Sequence, residues 1–165
     1  MKTTIERIVF GTLAVITFTA IFLFSNENGE QSSSTSEKLV RNIINIIPIT
    51  SKLDDLKKED IIQNSQFIVR KMAHFTIYFI AGLNVAGFLN TYNKVTLKNK
   101  IIISLLMCIC YATSDEIHQI FSNGRSASIR DILIDSLGSL FGIIILLKLR
   151  CFFTNRKFIK IIQKN

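Results

Sequence analysis

The feature that most constrains this chain is the run from Ile8 to Asn26, which contains no Lys, Arg, Asp or Glu. A helix of that length, rising ~1.5 Å per residue, roughly matches the ~30 Å hydrocarbon layer of a bilayer. Inside that layer only a helix or a closed barrel satisfies its own backbone. Lys2 and Arg7 precede the run, as they would in a signal peptide, but no A-x-A-like cleavage site follows it. The run is therefore read as a retained membrane span.

Three further stretches fit the same pattern. One extends from about Met72 to Tyr92, with His74 near its start. Another begins after Lys100 with IIISLLMCICYATS and then meets Asp115 and Glu116. It reaches spanning length only if the helix continues to Phe121 with its acidic end turned toward protein or water. The last, from about Asp131 to Leu147, carries Asp131 and Asp135 at its start. The expected architecture is all-α: a polytopic four-transmembrane-helix bundle forming one domain over 1–165, with spans at about 8–26, 72–92, 101–121 and 131–147. The segment 27–71 connects the first two spans, and a basic tail occupies 148–165. In the connecting segment Ser36 reads as the N-cap of a short amphipathic helix. Leu39, Val40, Ile43, Ile44 and Ile47 recur at helical spacing as far as Pro48, as expected of a helix lying in the interface.

Charge distribution excludes one tempting function and orients the spans. Twenty Lys and Arg against twelve Asp and Glu give a net charge of +8, which would suit nucleic acid. The charges flank apolar spans, however, so the expected partner is the lipid bilayer and not nucleic acid. The termini and the loop around Lys94, Lys98 and Lys100 hold eleven of the basic residues with one acid, Glu6, leaving nine basic and eleven acidic residues for the opposite side. Short basic segments stay in the cytoplasm, so both termini are expected inside. Cys108, Cys110 and Cys151 match neither a disulfide framework nor a metal spacing and read as small apolar residues.

Helical spacing arranges the polar residues of the non-cytoplasmic ends into stripes, because residues three or four apart share a face. Arg70, His74 and Tyr78 form one. Tyr111, Asp115, His118, Gln119 and Ser122 form a second, with Glu116 on its shoulder. Asp131, Asp135, Gly138 and Gly142 form a third, whose glycines complete a GxxxG and mark close helix packing within one chain or between two. Arg70, Lys71, Arg125 and Arg130 balance Asp115, Glu116, Asp131 and Asp135, and groups this close to hydrocarbon must face one another or a hydrated space. The loop FSNGRSASIRD, turning at Asn123-Gly124, offers Arg125 and Arg130, which suit phosphate or carboxylate. Asp-Glu-x-His-Gln around His118 lacks the His-to-His spacing of a helix-borne zinc site, so no metal and no cofactor are expected. Neither a G-x-S-x-G nor a phosphate-binding glycine loop is present.

These residues resemble the VanZ-like family of bacterial membrane proteins. The resemblance is carried by Phe24-Ser25 with the serines up to Ser36, by RKMAHFTIYFIAG from Arg70 to Gly82, and above all by YATSDEIHQIFSNGRSASIRDILIDSLGSLFG from Tyr111 to Gly142. Asn123 departs from the proline expected before Gly-Arg, and Asn26 from a frequent Gln; neither is a charged position. The resemblance implies the bacterial cytoplasmic membrane and an association with low-level resistance to teicoplanin, which acts outside that membrane on the D-Ala-D-Ala end of wall precursors.

Three readings compete. In the first, Arg70, Arg125 and Arg130 bind an anionic lipid or lipid-linked wall precursor, with His74, Tyr78, Gln119, Asp115, Glu116, Asp131 and Asp135 orienting the arginines or meeting sugar hydroxyls. In the second, Asp115 or Glu116 works with His74 or His118 as acid and base on a lipid-linked substrate. In the third, the charges only fasten helices together or dock a protein partner. Transport is disfavoured because the inner halves of the spans are almost wholly apolar. Oligomeric state is not encoded in these patterns.

Overall fold

In the computed structural model, residues 2–27, 29–46, 54–121 and 127–162 are described. They form five helices and, among the described residues, no strand: α1 (Lys2–Ser25), α2 (Gly29–Ile46), α3 (Asp55–Asn90), α4 (Leu97–Ile120) and α5 (Ile129–Ile162). Four of them, α1, α3, α4 and α5, are long and apolar enough to cross a membrane. The chain is thus a multi-pass, all-α membrane protein. The helices that qualify cover Thr3–Ser25, Asp55–Asn90, Leu97–Ile120 and Ile129–Thr154. The turn at Asn123-Gly124, together with Ser122 and Arg125, falls outside the described residues, as do Ile47 and Pro48.

Side-chain exposure agrees with a lipid solvent. Leu13, Val15, Ile16, Phe22, Leu23 and Phe24 of α1 point outward, as do Ile102, Ile103, Leu106 and Met107 of α4. Apolar surface of that extent would drive aggregation in water and costs nothing against acyl chains. What holds the helices together is accordingly close packing and buried polar pairing.

The seam between α3 and α5 depends on missing side chains. A Cβ on Gly138 would run into the carbonyl oxygen of Phe75, one on Gly142 into that of Phe79, and one on Gly82 into the backbone of Ser139. Glycine at all three lets the two backbones touch, and the buried Ser139 hydroxyl reinforces the contact by donating to Tyr78 O at 3.2 Å and to Asp135 O at 3.0 Å. The GxxxG at Gly138 and Gly142 therefore packs within the chain. Between the two ends of the bundle, Asn84 of α3 donates to Thr17 Oγ1 of α1 at 3.1 Å, a buried polar tie between two apolar surfaces.

The connecting segment is where the sequence reading needs correction. The helix begins at Gly29, not after an N-cap at Ser36, and the Ser36 hydroxyl instead donates back to Ser32 O at 3.0 Å from within the helix. Ser32, Ser36, Val40 and Ile44, each four residues apart, form its buried stripe. Val40 and Ile44 pack on Ile62 and Val69 of α3, which outweighs the weak helix propensity of a serine run. Leu39 and Ile43 lie on the exposed side. Asp54 caps α3 by accepting from the Asp55 N–H at 2.9 Å, and the helix then runs without interruption into the second span.

The bundle has two ends. At the terminal end, where α1 begins, Arg7 donates to Thr91 at 3.1 Å and Arg150 to Glu6 at 3.0 Å. At the opposite end the tip of α1 meets that of α4, His118 lying 2.7 Å from Asn26 Oδ1. The carboxylates are gathered there, and it is called the acidic end below.

Candidate polar site at the acidic end

Three helices deliver the site. His74 precedes Phe75 and Asp135 lies three residues before Gly138, so the glycine contact of Gly138 with Phe75 also draws the imidazole toward the carboxylate. His74 Nδ1 sits 3.7 Å from Asp135 Oδ1. Asp115 of α4 closes the group: one donor atom each from His74, Asp115 and Asp135 lie within 4.8 Å of one another. Asp115 and Asp135 are 4% and 0% exposed, so both acids are effectively out of contact with water.

The remaining acids have other occupations. Asp131 pairs with Lys71. Glu116 accepts the Ser128 N–H at 2.8 Å, placing a carboxylate at the N-terminus of α5, where the helix dipole favours negative charge. Asp115 accepts from Gln119 Nε2 at 3.2 Å, and the same amide reaches Ser25 Oγ at 3.3 Å. Among the described residues these carboxylates turn to a lysine, a histidine, a glutamine and a backbone amide. His118 also departs from expectation. Its ring stacks on Phe22 with centroids 4.9 Å apart and its Nε2 meets Asn26, which fixes it to α1 and away from the three-residue group.

Unsatisfied polarity is concentrated here. Among the described residues, the buried side-chain atoms without a hydrogen bond are His74 Nδ1, Tyr78 Oη, Glu116 Oε1, both oxygens of Asp135 and, elsewhere, Ser104 Oγ. A buried unpaired polar group costs about 1–3 kcal/mol, more when charged, so among the described residues such strain is concentrated at this end.

Beside this group lies a cavity of about 260 Å³ between α1, α2 and α3. Its body is apolar, with Ile21, Phe24, Leu39 and Ile77, and its polar lining comprises Glu27, Ser32, Thr35, Ser36, Arg70 and His74. Arg70 makes no ion pair among the described residues; its guanidinium lies 6.0 Å from the Phe67 ring centroid. Arg130, in the first turn of α5, is exposed and likewise makes no ion pair among the described residues. His74 belongs to both environments, lining the cavity while its Nδ1 faces Asp135.

Sequence reasoning named nearly all of these residues but not their partners. It missed Ser32 and Glu27 as cavity walls and Ser128 as the donor to Glu116. The four-residue spacing of Ser32, Ser36, Val40 and Ile44 was the available signal for the first. Among known proteins, a family model described as VanZ/LLP1 matches residues 10–153. No curated protein and no solved structure matches the chain.

Proposed function

We propose, for a chain that belongs to the VanZ/LLP1 family, that it holds the anionic headgroup of a lipid or of a lipid-linked cell-wall precursor at the acidic end of its bundle. The observation that carries this reading is Arg70, a cation without an ion pair among the described residues, set in the wall of a largely apolar cavity whose other polar lining is three hydroxyl side chains, His74 and Glu27. An apolar body accepts a hydrocarbon chain, a guanidinium grips phosphate or carboxylate through two parallel hydrogen bonds, and the hydroxyls of Ser32, Thr35 and Ser36 suit a sugar or glycerol. Arg130, exposed in the first turn of α5, adds a further donor. The denser basic charge at the other end supports an outer-face position for this site in a bacterial cytoplasmic membrane, with both termini inside. Wall precursors are exposed to teicoplanin-type lipoglycopeptides on that face. Holding their headgroups there lowers susceptibility by changing access to them.

Native mass spectrometry of detergent-purified protein tests the reading by asking which lipids co-purify. Wild type retains a polyprenyl-linked or anionic lipid, Arg70→Ala loses it, and Arg70→Lys recovers only part because a point charge cannot bond bidentately. Equal retention by wild type and Arg70→Ala would defeat it.

A second reading, acid–base chemistry on a lipid-linked substrate, is favoured by one observation: His74 bridges the cavity and the buried carboxylates. Of the candidate catalytic residues only His74 and Asp115 are so placed, with Asp135 beside them, since Glu116 and His118 are engaged elsewhere. Reconstituted protein that leaves polyprenyl-phosphate-linked substrates unchanged while binding them would remove this reading.

A further inference from the structure

We propose that His74, Asp115 and Asp135 form a binding site for one divalent first-row transition cation, such as Zn²⁺ or Mn²⁺. The proposal is independent of the lipid reading. The spacing argument against a metal concerned His118 and a single helix, whereas these donors come from three helices and converge only in the folded bundle.

Geometry supplies the first argument. Donor atoms around one such ion, at ~2.0–2.2 Å from it, lie roughly 3.0–3.5 Å apart. The three donors here already lie within 4.8 Å of one another, and His74 Nδ1 and Asp135 Oδ1 are at 3.7 Å. Side-chain movements of roughly 1–2 Å would close the set.

The unpaired atoms supply the second. Asp135 is 0% exposed and neither of its oxygens makes a hydrogen bond, and Nδ1 of His74 is buried and unpaired as well. These two ligands turn their lone-pair atoms toward one another, and their separation of 3.7 Å is too long for a hydrogen bond but leaves room for an ion between them. Nδ1 is the ring nitrogen a metal would take.

Charge supplies the third. Lys71 neutralises Asp131, and Glu116 sits at the N-terminus of α5. Asp115 and Asp135 have no Lys or Arg partner among the described residues. Two carboxylates with a neutral imidazole balance a divalent cation in a region where net charge is costly. The imidazole selects transition ions over Mg²⁺ and Ca²⁺, which prefer all-oxygen sets. Three protein ligands leave coordination positions for water or an anion.

The test uses full-length, tag-free protein in detergent, stripped with chelator and titrated with Zn²⁺ and with Co²⁺. Wild type is expected to bind one equivalent of Zn²⁺ at micromolar concentration or tighter by calorimetry and elemental analysis. Asp135→Asn and His74→Gln weaken binding at least tenfold, while circular dichroism and the gel-filtration profile stay unchanged. With Co²⁺, wild type develops d–d absorption without thiolate charge-transfer bands, which excludes Cys108, Cys110 and Cys151 as ligands. This reading needs no variant, so it stands even if a substitution prevents folding. Absence of stoichiometric binding by wild type, thiolate bands in the Co²⁺ spectrum, or undiminished affinity in folded Asp135→Asn would each overturn the site.

Discussion

The two ends of the bundle treat charge in opposite ways. At the terminal end, Arg150 meets Glu6 with 36% and 29% of their side chains exposed, and Arg7 donates to Thr91 while lying 4.1 Å above the Tyr92 ring. Lys100 donates to Asn90 there at 3.1 Å. These contacts are wet, partnered and individually worth little. At the acidic end, Asp115, Glu116 and Asp135 are buried, and Glu116 and Asp135 carry half of the buried unpaired side-chain atoms among the described residues. A fold seeking stability alone would not concentrate desolvated carboxylates in one place. The contrast separates anchoring, at the terminal end, from binding, at the acidic end.

The contrast breaks most completely if the scaffold joining the two ends is pried open. Gly142→Leu forces a side chain into the Phe79 carbonyl. The expected loss is about 3 kcal/mol or more, seen as a collapse of the unfolding midpoint in detergent. The next test turns on sign. In chelator, Asp135→Asn should raise stability by about 1–3 kcal/mol, because a desolvated, uncompensated charge is removed. A comparable loss would mean that the acidic end is held together by its charges and that the contrast is false. Between the ends, Asn84→Ala should cost ~0.6–1.7 kcal/mol through the lost tie to Thr17, within the range of buried polar pairs in membranes. The smallest effect belongs to Arg150→Gln at the terminal end. It should cost ~0.2–1 kcal/mol, a loss that shrinks further in high salt, as denaturation at two ionic strengths would read.

How much of this was legible in the sequence follows the reach of each interaction. Periodicity within one helix revealed the spans, the Arg70–His74–Tyr78 stripe and the glycine face of α5, because each depends on spacing along a single element. The start of α2 was not legible. Ser36 has the chemistry of an N-cap, but burial of Ser32, Ser36, Val40 and Ile44 against α3 carries the helix back to Gly29. The equality of positive and negative residues at the acidic end suggested mutual pairing. Among the described residues only Lys71 of those cations pairs, with Asp131, because the rotation of each helix about its axis decides who meets whom, and no spacing rule encodes it. The same rotation turned His118 toward Asn26 and brought His74, Asp115 and Asp135 together. Arg125, prominent in the motif, falls outside the described residues.

The length of α3 has a mechanical consequence. Its 36 residues rise about 54 Å at ~1.5 Å each, well beyond a ~30 Å hydrocarbon layer, and they contain no proline. Val40 and Ile44 of α2 clasp the protruding half through Ile62 and Val69, while Gly82 fixes the other half against α5. A load placed on α2 therefore acts on a lever arm without a joint. It swings α3 about the glycine contacts as a pivot, and the first side chain past that fulcrum to shift against α5 is His74.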